Sequence, residues 1–151
     1  MEFIKSLHYE DEIKTFYSNS LSSALQQSNM FNNKYKSIIS IKSHKKNWFM
    51  KWHVDDCQLI KVKDINTLQK PKNGGIYAKN NKYALIYQKS LPKYTLLYYT
   101  DVENTKGGDL QFPHKRITPK NNLTIIFPSN IPHCVHPLRE GTRKNVIVKF
   151  Y

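Results

Sequence analysis

Two hydrophobic rhythms divide the chain. Between Glu10 and Met30, Ile13, Phe16, Tyr17, Leu21 and Leu25 recur at intervals of mostly three or four, the repeat of a helix with one apolar face. The first proline is Pro71, so no ring breaks this pattern, and the spacing predicts a support helix on the outside of a sheet. Past Asn33 the runs become short and β-prone. Ser37–Ile41, an aromatic extended stretch over Asn47–Asp55, Tyr94–Thr100, Asp109–Phe112, Leu123–Phe127, His133–Leu138 and Asn145–Tyr151 all read as strands. Ile76–Gln88 reads as a hairpin around Lys79-Asn80-Asn81-Lys82. Turns are expected over Lys70–Gly75, Thr105–Gly108 and Arg139–Gly141. Many short strands separated by turn signals predict an antiparallel barrel or jelly roll, mainly β (α+β), with a helical N-terminal support.

Length and composition narrow this picture. A chain of 151 residues with 39% hydrophobic and 13% aromatic content suits one domain with a single core. No apolar run reaches about 18 residues, so no membrane span is expected. Met1-Glu2-Phe3-Ile4-Lys5 lacks the basic-then-apolar order of a secretory signal. The two cysteines, Cys57 and Cys134, form no disulfide framework. Together these features predict an intracellular, cytoplasmic setting.

The formal charge of +13 is what a nucleic-acid or acidic partner would select. A plainer account is compositional bias. Only three of the 24 basic residues are Arg, and the lysines are scattered rather than clustered.

The chemistry lies in a few polar positions. In a strand His53 and Asp55 point to one face with Cα atoms about 7 Å apart, close enough to converge on one ion. A third ligand must come from a distant strand. His133 follows Pro132 at the start of one, and Cys134 and His136, at odd offsets, face away from it. Two imidazoles and one carboxylate suit iron(II), with open positions left on the metal. The chain can turn at Arg139-Glu140-Gly141 and return beside this site, which brings Arg143 to the barrel mouth. Its planar fork suits a bidentate grip on a carboxylate, and Asn145 shares its face. Trp48 and Trp52 read first as core residues and second as walls of a substrate groove. His44, beside Lys45 and Lys46, reads as solvated, and Cys57 as a small buried thiol.

Three segments carry a resemblance: WHVDD, YTLLYYTDVENTKGGDLQF and LTIIFPSNIPHCVHPLREGTRKNVIVKFY. They resemble the prolyl 4-hydroxylase-like branch of the iron(II)/2-oxoglutarate-dependent dioxygenases. The third matches that branch's terminal motif at His133, Val135, Pro137, Leu138, Gly141 and Arg143. The resemblance implies a double-stranded β-helix, iron bound by His53, Asp55 and His133, and 2-oxoglutarate held by Arg143. It also implies a cosubstrate-binding tyrosine in the Tyr-Tyr-Thr run, either Tyr99 or Tyr98, and ascorbate as a candidate reductant. This chain departs from the pattern in two ways. Residues 57–93 form an insertion, expected to be a hairpin or lid, and Met50 replaces a tyrosine common three residues before the first His.

The activity implied is hydroxylation of a peptidyl residue, foremost proline, with release of succinate and carbon dioxide. One alternative is the same chemistry on nucleic acid as oxidative demethylation. Families of that kind tend to carry a second Arg shortly after the first, and none follows Arg143. The other is a non-catalytic jelly-roll binding module, against which the full set of polar residues argues. The domain reading is one oxygenase unit over residues 1–151, with residues 1–35 as helical support.

Overall fold

The structure is a computed structural model describing residues 12–30, 34–67, 74–87 and 89–151. The chain enters as β1 (Lys14–Tyr17) and α1 (Leu21–Gln27), followed by β2 (Ser37–His44) and β3 (Met50–His53). A side excursion contains β4 (Cys57–Lys61), a 3₁₀ turn (Val62–Thr67), β5 (Gly75–Lys79) and β6 (Tyr83–Tyr87). The remainder is β7 (Tyr94–Asp101), β8 (Lys106–Gly107), β9 (Leu110–Phe112), β10 (Lys115–Ile117), β11 (Leu123–Pro128), β12 (His133–Val135), β13 (Leu138–Glu140) and β14 (Arg143–Phe150).

These strands form a jelly-roll-like double-stranded β-helix. One antiparallel sheet runs β1-β11-β7-β14-β2 and faces a second of order β10-β9-β12-β3. Leu97, Tyr99, Ile125 and Phe127 project from the larger sheet into the interior and meet Leu110, Phe112, Ile117 and Val135 from the smaller. The alternate residues Leu96, Tyr98, Ile126, Val146, Val148 and Phe150 point outward, where Ala24 and Leu25 of α1 cover them. Both faces of β7 and β11 are therefore buried, which is why these strands are apolar almost throughout. The inner face of β14 breaks the rule with Arg143, Asn145, Ile147 and Lys149.

The N-terminal support is shorter than its periodicity predicts. Lys14–Tyr17 is a strand paired with Leu123–Ile126, and only Leu21–Gln27 is helical. Ile13 packs into the interior core and Phe16 into the outer cluster, whereas Tyr17 is exposed. A strand followed by a helix imitates one longer helix when the residues between them are few and polar. Here the strand ends at Tyr17 and Ser20 caps α1, its Oγ accepting from the Ser23 amide at 3.1 Å. The predicted start of this element, Glu10 and Asp11, lies outside the described residues.

Within residues 57–93, β4, β6 and β5 form their own three-stranded sheet. Its hairpin turns where the sequence indicates, with Asn80 Oδ1 accepting from the amides of Lys82 and Tyr83 at 2.8 and 2.7 Å. Leu59, Tyr77, Ala78, Tyr83 and Leu85 pack with Trp52 and Val54. The predicted turn residues Lys70–Asn73, and Gln88, lie outside the described residues. Among the described residues, no helix is long and apolar enough to cross a membrane.

The strand predicted over His133–Leu138 is interrupted, and its continuation β13 pairs with β8. The chain then turns at Gly141, later and more tightly than the predicted Arg139–Gly141 turn. Gly141 has φ +78°, and a Cβ there would collide with the Asn104 carbonyl. Gly141→Ala is accordingly expected to destabilise the protein by about 2 kcal/mol, seen as a lower urea midpoint at unchanged slope.

Candidate metal and cosubstrate site

β3 and β12 are antiparallel neighbours with His53 opposite His133. Residues 80 positions apart in the chain thus become a cross-strand pair, their ring centroids 4.3 Å apart. Asp55 arrives differently from the simple alternation expected. β3 ends at His53, and a tight turn closes from the Cys57 amide to the Val54 carbonyl at 3.1 Å. Asp56, at φ 59°, supplies the left-handed step of that turn. The turn brings Asp55 Oδ1 to 2.9 Å from His133 Nε2 and 3.5 Å from His53 Nε2. The three candidate ligand atoms all lie within 4.8 Å of one another.

The orientation of each group is fixed from behind. His53 Nδ1–H donates to the Lys51 carbonyl and His133 Nδ1–H to the Ile131 carbonyl, each at 2.7 Å. With the Nδ1 protons so engaged, both Nε2 atoms turn to the shared space, where His133 Nε2–H donates to Asp55 Oδ1 and a metal ion would take the place of that proton. Asp55 Oδ2 accepts from Thr95 Oγ1 at 2.6 Å, and Thr95 lies 2.8 Å from Ser129 Oγ. Oδ1 is left turned to the imidazoles. Phe127 and Phe112 pack around the His133 ring at centroid distances of 5.0 and 5.9 Å.

The electrostatics of this group are those of a cation trap. Burial works to raise the Asp55 pKa, but the charge and hydrogen bond of His133, with the bonds from His53 and Thr95, hold the carboxyl well below its usual range. Burial works to lower the His133 pKa, and the Asp55 carboxylate outweighs it and raises it. The interior has an anion that draws whatever cation is offered, a proton or a metal ion.

Along the inner face of β14 a second polar group forms. Arg143 is 2% exposed. Its Nη1–H donates to the Gly108 carbonyl at 3.1 Å and its Nε–H to Asn145 Oδ1 at 3.3 Å. Its guanidinium carbon lies 5.0 Å from the Trp48 ring centre and 5.4 Å from that of Tyr99. Among the described residues no carboxylate pairs with this buried cation. Among the described residues, two buried side-chain polar atoms lack a partner, Tyr99 Oη and Asn145 Nδ2. Tyr99 and Asn145 sit opposite each other on β7 and β14. Burial pushes the Tyr99 hydroxyl up to about 12, so it stays a proton donor.

Tyr98 points to the outer face, where its hydroxyl bonds the Ser18 carbonyl and Asn122 Oδ1, each at 3.0 Å. His136 faces away from the triad and meets Gln111 Oε1 at 2.6 Å. A cavity of about 410 Å3 joins the triad to Arg143, with Lys149 also on its wall. Lys149 is already neutralised by Asp56 at 2.8 Å. His44, read from sequence as solvated, instead stacks on Trp48 and lines the cavity. The two lysines that follow it suggested solvent, but β2 pairing turns its ring inward opposite Arg143. Thr95 and Ser129 were not singled out at all. The signal for Thr95 was its parity with Leu97 and Tyr99 on an inward-facing strand. For Ser129 no local signal exists.

Two histidines, His53 half-buried and His133 buried, share a carboxylate in one cavity with an arginine that no carboxylate pairs with among the described residues, and that combination inside a double-stranded β-helix suits iron- and keto-acid-dependent oxygenation. The sequence profile of the 2OG-Fe(II) oxygenase superfamily matches residues 39–151, and the chain belongs to that superfamily. Among solved structures it is similar to the viral collagen prolyl hydroxylase of Paramecium Bursaria Chlorella virus-1 in its 2-oxoglutarate complex. That match has 15% identity and a TM-score of 0.51, covering 92% of this chain and 78% of that one. A truncated form of the viral enzyme matches at 16% identity and TM-score 0.52, covering 94% and 75%. A 2OG-Fe(II) oxygenase family oxidoreductase from Burkholderia pseudomallei matches at 12% identity and TM-score 0.49, over 87% of this chain. The present chain spans about half of that protein, 53%. Comparison with curated proteins returned no match.

Membership implies iron(II) and 2-oxoglutarate, and the residues fit both. The donor set is two imidazole nitrogens and one carboxylate oxygen, and two unpartnered buried groups, Tyr99 Oη and Asn145 Nδ2, accompany the Arg143 guanidinium, which no carboxylate pairs with among the described residues.

Cys57, immediately after the Asp55 turn, is half-buried, and burial with the nearby Asp56 and Asp55 charges pushes its thiol up to about 12. At pH 8 its thiolate fraction should be on the order of a thousandfold below that of an ordinary thiol. Time-resolved mass spectrometry with iodoacetamide should show slow alkylation of Cys57 in the folded protein, rising with pH and becoming fast in urea.

Proposed function

We propose that the protein is an Fe(II)/2-oxoglutarate-dependent dioxygenase that hydroxylates a peptidyl residue, foremost proline. The observation that carries the reading is Arg143, a buried cation without an acidic partner, in one cavity with His53, Asp55 and His133. An isolated charge in an apolar interior costs several kcal/mol, so the site is completed by an anion. A keto diacid supplies that anion at one end and a metal chelate at the other.

His53, Asp55 and His133 would hold the iron through Nε2, Oδ1 and Nε2. Thr95 keeps Asp55 Oδ1 aimed at the metal by binding the other oxygen. Arg143 would take the distal carboxylate of 2-oxoglutarate in its fork, helped by the Tyr99 hydroxyl and the Asn145 amide. When bound, iron and 2-oxoglutarate supply with dioxygen the oxidising power for C–H hydroxylation, yielding succinate and carbon dioxide. The aromatic and aliphatic walls, Phe127, Leu97, Leu110 and Val135, exclude water from that place. Ascorbate would serve to keep the iron reduced.

A peptide substrate is supported by the terminal motif of the prolyl 4-hydroxylase-like branch and by the fold shared with a viral collagen prolyl hydroxylase. We read residues 1–151 as one oxygenase domain, with 1–35 as its support and the sheet of 57–93 as a lid whose surface meets the substrate. The net charge of +13 favours a second reading, the same chemistry on nucleic acid. Succinate formation with iron, ascorbate and 2-oxoglutarate separates the readings. Proline-rich peptides should stimulate it and methylated oligonucleotides should not; the reverse would favour the nucleic-acid reading, and no succinate in any mixture would leave a binding module.

Three variants sharpen this. His133→Ala should abolish succinate formation. Arg143→Gln should keep metal binding and raise the 2-oxoglutarate KM at least about tenfold, the loss expected for a charged hydrogen bond. Thr95→Val should weaken Mn(II) binding about tenfold, the typical cost of losing a partner behind a metal ligand, as measured by calorimetry.

A further inference from the structure

Arg143 lies against a cluster of rings, and two of them, His44 and Trp48, come from a segment outside the terminal motif. His44 sits opposite Arg143 on the neighbouring strand. After it the chain bends at Asn47, φ 75°, and carries Trp48 back over the strand. The Trp48 ring lies 3.5 Å from the His44 ring, centroid to centroid, with their planes 16° apart. The Arg143 guanidinium carbon lies over the same Trp48 ring, 5.0 Å from its centre, and over the Tyr99 ring at 5.4 Å. The bend is clamped by the backbone. The Trp48 carbonyl accepts from the Leu138 amide at 2.9 Å, and the Asn47 amide donates to the Leu138 carbonyl at 2.8 Å. Trp48 is half-buried, and both it and His44 face the cavity.

We propose that Trp48, backed by His44, is a binding residue of the keto-diacid site, its indole plating Arg143 and walling the space for the distal carboxylate. The proposal rests on the reading of Arg143 given above. An aromatic face over a guanidinium removes water from that face while leaving the charge, and indole is the strongest such partner. With Trp48 and Tyr99 packed beside it, and Gly108 and Asn145 taking two of its donors, the fork meets an anion through the donors that remain. The lowered polarity around it strengthens that contact. Burial, with the charges of Arg143 and Lys42, lowers the His44 pKa to about 4, so its ring is neutral at neutral pH and adds no further positive charge beside Arg143.

The chain has two tryptophans, Trp48 and Trp52, so W52F leaves Trp48 as the lone indole. In that variant loaded with Mn(II), titration with 2-oxoglutarate should change the tryptophan emission saturably, in step with binding measured by calorimetry. W48L should lower 2-oxoglutarate affinity about tenfold and W48F no more than about threefold, since Phe keeps a ring over the cation. Affinities for Mn(II) and for pyruvate, a keto acid without a distal carboxylate, should change less than about twofold. A merely structural tryptophan would weaken pyruvate and 2-oxoglutarate together. That result, or a W48L variant binding 2-oxoglutarate as tightly as the unmodified protein, or an unmoved Trp48 emission while calorimetry shows binding, overturns the proposal. Failure of the unmodified protein to bind 2-oxoglutarate overturns the reading of Arg143 itself.

Discussion

The Asp55 carboxylate is the constraint around which the interior is arranged. It is 7% exposed, and a charge so placed survives only if every nearby group answers it. His133 answers from a strand of the smaller sheet, Thr95 from a strand of the larger, and His53 from the strand immediately before it. One anion therefore holds together both walls of the double-stranded β-helix at the place where chemistry can occur. Removing any partner would leave the others solvating a charge alone.

The larger sheet divides its labour by face. Outward residues of β7, β11 and β14 are apolar and lie under a single short helix, while the inward face of β14 alternates Arg, Asn, Ile and Lys. Stability and chemistry thus sit on opposite sides of the same backbone. A strand gives this separation at no cost in length, because successive side chains already point apart. Arg143 is held by the strand that also presents Val146, Val148 and Phe150 to the support helix.

Much of this was legible in the sequence because it depends on parity and order. His53, Asp55, His133 and Arg143 could be picked out by spacing, and the structure gathers them into one cavity. The jelly-roll class followed from the count and brevity of the β-prone runs. What failed to show had long-range causes. Lys14–Tyr17 is a strand because β11 offers it an edge, and no local spacing records that offer. His44 is turned inward by pairing with β14, a contact about a hundred residues downstream. Asp55 reaches its place by a turn in which Asp56 takes a left-handed backbone, and an aspartate gives weaker warning of that than a glycine would. Ser129 joins the Asp55 network only because Thr95 is beside it.

The two histidines are each tied to the carbonyl two residues earlier, Lys51 within β3 and Ile131 in the turn ahead of β12. Those ties are local in the chain, so the imidazoles lose their rotational freedom during folding rather than on metal capture. Ion uptake and loss can then proceed at a rigid scaffold, without the coil-to-fold transition that accompanies metallation in small zinc modules. A metal site built this way can be emptied and refilled while the fold keeps its shape.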